Sequence, residues 1–237
     1  MTEQIQSNKT FSSPFSRDYW KSAVVELKKP RMLAVAAMIV ALRVLLKAVS
    51  IKVFPGVYIT FGFFANALGS MIYGPVLGLI GGAISDTIGA FLFPTGDYFF
   101  PFILTEMLSS FIFALFLYRS KPTALRVLLS RFSVIVICNL LLTPVIMRWY
   151  YAYFGIESSY ALFTTARLIK NTVLFPAESI LLIIFLRAIT PATNRLKLTF
   201  TGERKLAVTW KTALILLAML IVAAVVIVLY YVFYVSK

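Results

Sequence analysis

The stretch "LILLAMLIVAAVVIVLYYVFYV", residues 214–235, runs for 22 positions without a charge. About 20 consecutive apolar residues are enough for a helix to cross a hydrocarbon core of ~30 Å. In water such a segment has no way to hide all of its faces. The rest of the 237-residue chain agrees, at 60% hydrophobic and 15% aromatic, against roughly half apolar in a soluble domain. The reading is an all-α membrane protein that crosses the bilayer several times.

Seven spans are expected, over 31–49, 58–73, 75–93, 100–118, 128–150, 161–189 and 211–235. The formal net charge is +14. In a membrane protein lysines and arginines mark cytoplasmic loops, and nucleic acid need not be invoked. The basic clusters are the N-terminal segment, the loop with Arg119, Lys121, Arg126 and Arg131, and the loop with Arg195, Lys197, Arg204 and Lys205. All three fall on one side if spans four and six end inside. The N-terminus is then cytoplasmic and the C-terminus external.

Four segments follow: a cytoplasmic arm (1–30), a six-helix substrate-binding membrane domain (31–190), a basic linker (191–210) and an additional transmembrane helix (211–237). In the arm, "SRDYWKSAVVEL" reads as a short amphipathic helix on the inner membrane surface. The arm has no signal-peptide pattern.

Composition excludes several chemistries. The chain has no histidine and one cysteine, so the usual zinc, copper and haem sites lack ligands and serine–histidine catalysis is ruled out. There is no G-x-x-x-x-G-K-[ST] nucleotide loop. Neither a metal nor a cofactor is expected.

Polar groups within a bilayer are costly and each asks for a reason. Asp86, Glu106, Glu178, Arg43, Asn66, Asn139 and Asn171 all fall within spans. Arg167, Asn171 and Glu178 share one helix face, with Lys170 beside it. Arg43 and Lys47 are four apart in the outer half of span one. Most of these groups converge on the outer half of the bundle, between spans one, three, four and six, as a polar cavity open to the outside, with Asn139 deeper. The plain alternative is mutual pairing or snorkelling to the interface. Phe61, Phe63, Tyr98 and Phe99, in the loops 53–64 and 91–101, are placed to stack on a flat ligand or to form an interfacial aromatic belt.

Small residues supply a second pattern. Gly74, Gly78 and Gly82 recur every four positions, as do Ala37 and Ala41, which lets a helix approach closely. Arg43 lies roughly 120–160° around span one from those alanines, so one face is smooth and the other charged.

The runs "AAMIVALRVLLK", "ITFGFFANALGSMIYGPVLGLIGGAISDTIGAFLFPTGDYFFPF" and "RLIKNTVLFPAESILL" resemble the S components of energy-coupling factor vitamin transporters, the folate-specific members above all. The likeness covers about 31–190. It implies a six-helix bundle that binds one vitamin near the external face. It also implies association with a transmembrane coupling subunit and two ATPases, and toppling in the membrane to release substrate. Ala37 and Ala41 match the family's alanine pair that contacts the coupling subunit. With folate as ligand, Asp86 or Glu106 is expected at the pterin edge, with Arg43 or an aromatic such as Tyr98 on its face. Lys47, Arg148, Arg167 and Lys170 are the candidates for the two carboxylates, with Asn171 beside them. Riboflavin in the same fold is the nearer alternative. An intramembrane enzyme using Asp86 and Glu106 is a more distant one.

Overall fold

The computed structural model describes residues 10, 11, 13–54, 57–94, 96–156, 162, 164–199 and 206–230, with 50–59 and Tyr230 as backbone only. A first helix, α1 (Arg17–Glu26), starts where the Ser16 side chain accepts from the Tyr19 amide, satisfying one otherwise orphaned donor. Helix α2 (Pro30–Ala48) begins with proline at its first turn, where the missing N–H costs nothing. Then come strands β1 (Ser50–Phe54) and β2 (Val57–Thr60), which pair antiparallel with a bulge between Lys52 and Phe54. Part of the stretch expected as loop and as the start of span two is therefore strand.

Spans two and three form a single element, α3 (Gly62–Leu92), broken at Gly74, where φ is 79° and ψ −170°. The break reverses the chain. A methyl group on Gly69 would collide with the Tyr73 hydroxyl, and one on Gly81 would lie 3.6 Å from that same hydroxyl. In a straight helix those glycines would stand ~18 Å apart. Two arms therefore lie side by side, as the separate spans 58–73 and 75–93 require. Only glycine takes this φ without strain, and Pro75 starts the second arm with φ already set.

A short 3₁₀ turn (Phe100–Phe102) leads into α4 (Ile103–Leu117). Span five is a 30-residue rod of three parts: α5 (Ala124–Val134), a π-helical stretch (Ile135–Leu142) and α6 (Thr143–Tyr153). Pro144 cannot donate to the preceding turn, while the Thr143 amide and hydroxyl both reach back to the Cys138 carbonyl. The wide turn follows from that. Helix α7 (Thr165–Arg195) is span six and α8 (Trp210–Tyr230) span seven. The expected linker 191–210 thus begins as helix, and residues 200–205 lie outside the described ones. Ala207 pairs in parallel with Thr123, tying the linker to the turn before α5.

The core centres on α3, which packs between α2 and α4. Gly78 lets Ser110 come within 3.5 Å of where its Cβ would be, and at Gly82 the Glu106 carbonyl stands 2.9 Å from that point. The glycine spacing is thus the seat of α4. At the end of the bundle where α3 turns, the Tyr118 ring sits 3.0 Å from the Cβ position of Gly74. Helix α1 docks there. Tyr19, Ala23 and Glu26 are buried, and the Tyr19 hydroxyl donates to the Ala114 carbonyl at 2.9 Å. Burial pushes its phenol above the ordinary value, so it remains a donor. Fully buried Glu26 takes Arg119 at 3.0 Å and Lys29 at 3.1 Å. Helix α8 packs on α7 and is otherwise exposed.

Candidate functional site

A cavity of about 400 Å³ opens among α2, α3, α4, the α5–π rod and α7, within the usual range for a small-molecule site. Among the expected site residues, Arg43, Lys47, Glu106, Lys170 and Asn171 line it, with Asn66, Phe63, Asn139 and Glu178. Each element contributes by register. Arg43 and Lys47 are one turn apart on α2, and Lys170, Asn171, Leu174 and Glu178 return to one face of α7.

The charges are mostly paired. Arg43, 1% exposed, donates from Nη2 to Glu106 Oε2 at 3.0 Å and to Ser110 Oγ at 2.9 Å. The Ser110 hydroxyl in turn donates to the Glu106 carbonyl at 2.9 Å. Asn66 donates to Ser109 Oγ at 2.9 Å, and Ser70 to the Ser110 carbonyl at 2.9 Å. Asn139 donates to Asn171 Oδ1 at 3.2 Å, and Asn171 donates to the Arg167 carbonyl at 2.9 Å. This accounting is what a polar interior requires.

Arg131 departs from the sequence reading. Expected in a cytoplasmic loop, it sits on α5, buried, and lines the cavity. It bonds Glu178 Oε2 through Nε at 3.2 Å and Nη2 at 2.5 Å, and its guanidinium carbon lies 4.6 Å from the centre of the Phe63 ring. A carboxylate and an aromatic face together replace the water it gives up. Its partner is 47 residues away, and no local pattern announces such a pair.

Four other expected residues are not in the lining. Asp86 stands behind Lys47, with Oδ1 2.7 Å from Nζ; it therefore holds a cavity lysine while staying outside the lining itself. Tyr98 is exposed and stacks on Phe91. Arg148 is exposed on α6. Arg167 faces the Leu162 carbonyl at 3.4 Å. Phe99 is buried against Trp149, Tyr150 and Tyr153, and Phe61 stacks on Phe64. Ala37 and Ala41 are exposed on the outer face of α2 beside Met38 and Leu45.

The lining carries four cations, Arg43, Lys47, Arg131 and Lys170, against two carboxylates, Glu106 and Glu178. Among the described residues Lys170 has no ion-pair partner. A bilayer-embedded bundle around a net-positive cavity defines a membrane solute-binding protein. The family model for the S component of ECF-type riboflavin transporters matches residues 28–191, and the chain belongs to the S components of ECF-type transporters. That membership sets aside the intramembrane-enzyme alternative. Two relatives are named folate transporter FolT. The one from Clostridium novyi (strain NT) is 32% identical over 66% of this chain and 88% of its own length. The one from Leuconostoc mesenteroides subsp. mesenteroides is 29% identical over 62% and 80%. A crystal structure of FolT bound with folic acid aligns with TM-score 0.55 and 30% identity, covering 64% of this chain and 89% of that one. Helix α8 and all of α1 lie outside the family match.

Proposed function

We propose that this chain is the folate-binding subunit of an ECF-type uptake transporter, with residues 31–190 as its substrate-binding domain. The observation that carries the reading is the cation left over: Arg43, Lys47 and Arg131 each have a carboxylate partner, and Lys170 has none among the described residues. Folate brings a glutamate tail with two negative charges. Riboflavin brings no carboxylate, and thiamine is a cation. The FolT relatives support the same ligand, although the matching family model takes its description from riboflavin.

Lys47 and Lys170 hold the tail and the heterocycle goes deeper. Asp86 keeps Lys47 at the cavity wall. The end that carries α1, Gly74 and Arg119 faces the cytoplasm. Lys21, Lys28, Lys121, Arg126, Arg195 and Lys197 flank the elements gathered there, which suits the inside excess of positive charge. The cavity then opens outward and α8 ends outside. The exposed Ala37–Ala41 face of α2 contacts a transmembrane coupling subunit, and paired ATPases supply the energy this chain has no means of generating.

Titration calorimetry on the purified chain in detergent tests the ligand. Tight one-to-one binding of folate without ATP, and none of thiamine, is the expected result. Riboflavin bound more tightly than folate would reject the assignment.

A further inference from the structure

Both carboxylates of the lining are bonded through one oxygen, and Glu178 is the one gripped by two donors. Both Arg131 donors converge on Oε2 of Glu178, and among the described residues Oε1 of Glu178 receives no hydrogen bond. A carboxylate offers about four acceptor sites, so Oε1 keeps two. The Glu178 side chain is 8% exposed, whereas the Glu106 side chain is 31% exposed. It lies eight residues along α7 from Lys170, roughly 12 Å at 1.5 Å per residue. The cavity thus has a cationic station at Lys170 and, about 12 Å further along α7, an acceptor held by Arg131.

We infer that Glu178 is the specificity-determining residue for the heterocycle, accepting through Oε1 from the amino group and neighbouring ring N–H of a 2-amino-4-oxopyrimidine edge. The inference rests on the folate reading above. The separation between the stations suits a ligand with an acidic tail, an aromatic spacer and a flat donor-bearing head. Arg131 balances the buried charge and holds Oε2, so the free oxygen is presented in a fixed position. The same arrangement rejects a flavin. The isoalloxazine edge reads carbonyl, N–H, carbonyl, so it offers a single donor flanked by two oxygens that repel a carboxylate, where the pterin edge offers two adjacent donors. Asp86, favoured for this role by the sequence, stands outside the lining on Lys47, and Glu106 is the more exposed carboxylate, held by a single Arg43 donor.

The test compares folate with its 2-desamino-2-methyl analogue, which keeps the acidic tail, on the wild type and on Glu178→Gln, by calorimetry in detergent. The wild type is expected to prefer folate by ~10-fold or more, the scale of a hydrogen bond to a charged group. Glu178→Gln is expected to shrink that preference by ~3-fold or more, weakening folate more than the analogue, which retains only the ring N–H contact. A variant that keeps the wild-type ratio, or that loses both ligands equally, overturns the inference. So does a wild type that binds both ligands alike, a result that needs no variant to fold. A wild type that binds neither ligand overturns the folate reading itself, before Glu178 is in question.

Discussion

A single methyl group placed on Gly82 tests how the cavity is braced. The Cβ of Gly82→Ala would lie 2.9 Å from the Glu106 carbonyl oxygen and 3.0 Å from the Met107 Cα and amide nitrogen. Ordinary carbon contacts sit at 3.5–4.0 Å, so each neighbour is short by roughly half an ångström. All three atoms are backbone and cannot rotate away, so α4 must move off α3. Overpacking of this kind costs about 1–3 kcal/mol. The displaced carbonyl is the one that positions the Ser110 hydroxyl beneath Arg43, so the cost reaches the cavity. Ligand affinity should fall by about tenfold, the equivalent of ~1.4 kcal/mol. Gly78→Ala is the internal control, because its Cβ would meet Ser110 Cβ at 3.5 Å, an ordinary contact. Thermal unfolding and ligand titration in detergent read both effects. The reasoning is refuted if Gly82→Ala matches the wild type, or if Gly78→Ala is equally damaging.

Glu26→Ala leaves the guanidinium of Arg119, 3% exposed, buried without its carboxylate, at a cost of about 3–5 kcal/mol. Limited trypsin cleavage at Lys21 and Lys28 should accelerate as α1 loosens. Tyr19→Phe removes only the bond to the Ala114 carbonyl. It should cost about 0.5–1.5 kcal/mol of stability and leave ligand titrations unchanged. Lys170→Ala should weaken folate by roughly tenfold or more and flatten the salt dependence of binding, with Lys47→Ala weaker in effect because Asp86 already shares that ammonium.

The sequence announced its spans through apolar run length, but Gly74 was read with Gly78 and Gly82 as a packing glycine, whereas the chain turns there. The glycines at 78 and 82 pointed to a close helix neighbour, and α4 is that neighbour. Span five was legible as apolar, but its π turn depends on Thr143 reaching back to Cys138 and has no periodic signature. The candidate site was half legible. Helical phase put Arg43, Lys47, Lys170 and Asn171 on the right faces, because 100° per residue is a local rule. Pairing is not local. Arg131 and Glu178 are 47 residues apart, and Lys47 and Asp86 are 39. A charge count alone assigns Arg131 to a loop and Asp86 to the ligand, until the helices are packed and each finds its partner. The β-hairpin escaped notice because "IKVFPGVYIT" sits among longer apolar runs that dominate the reading.

The reversal at Gly74 also bears on how the protein is made. With no loop between its arms, α3 can enter the bilayer as one helical hairpin, at almost no closure entropy. It carries Asn66 and Ser70 with it, and on α3 alone these two have only each other, at 3.4 Å. Their better partners, Ser109 and the Ser110 carbonyl, are on α4, the next helix to leave the ribosome. The order of synthesis thus supplies the remedy for the buried amide directly after the helix that carries it.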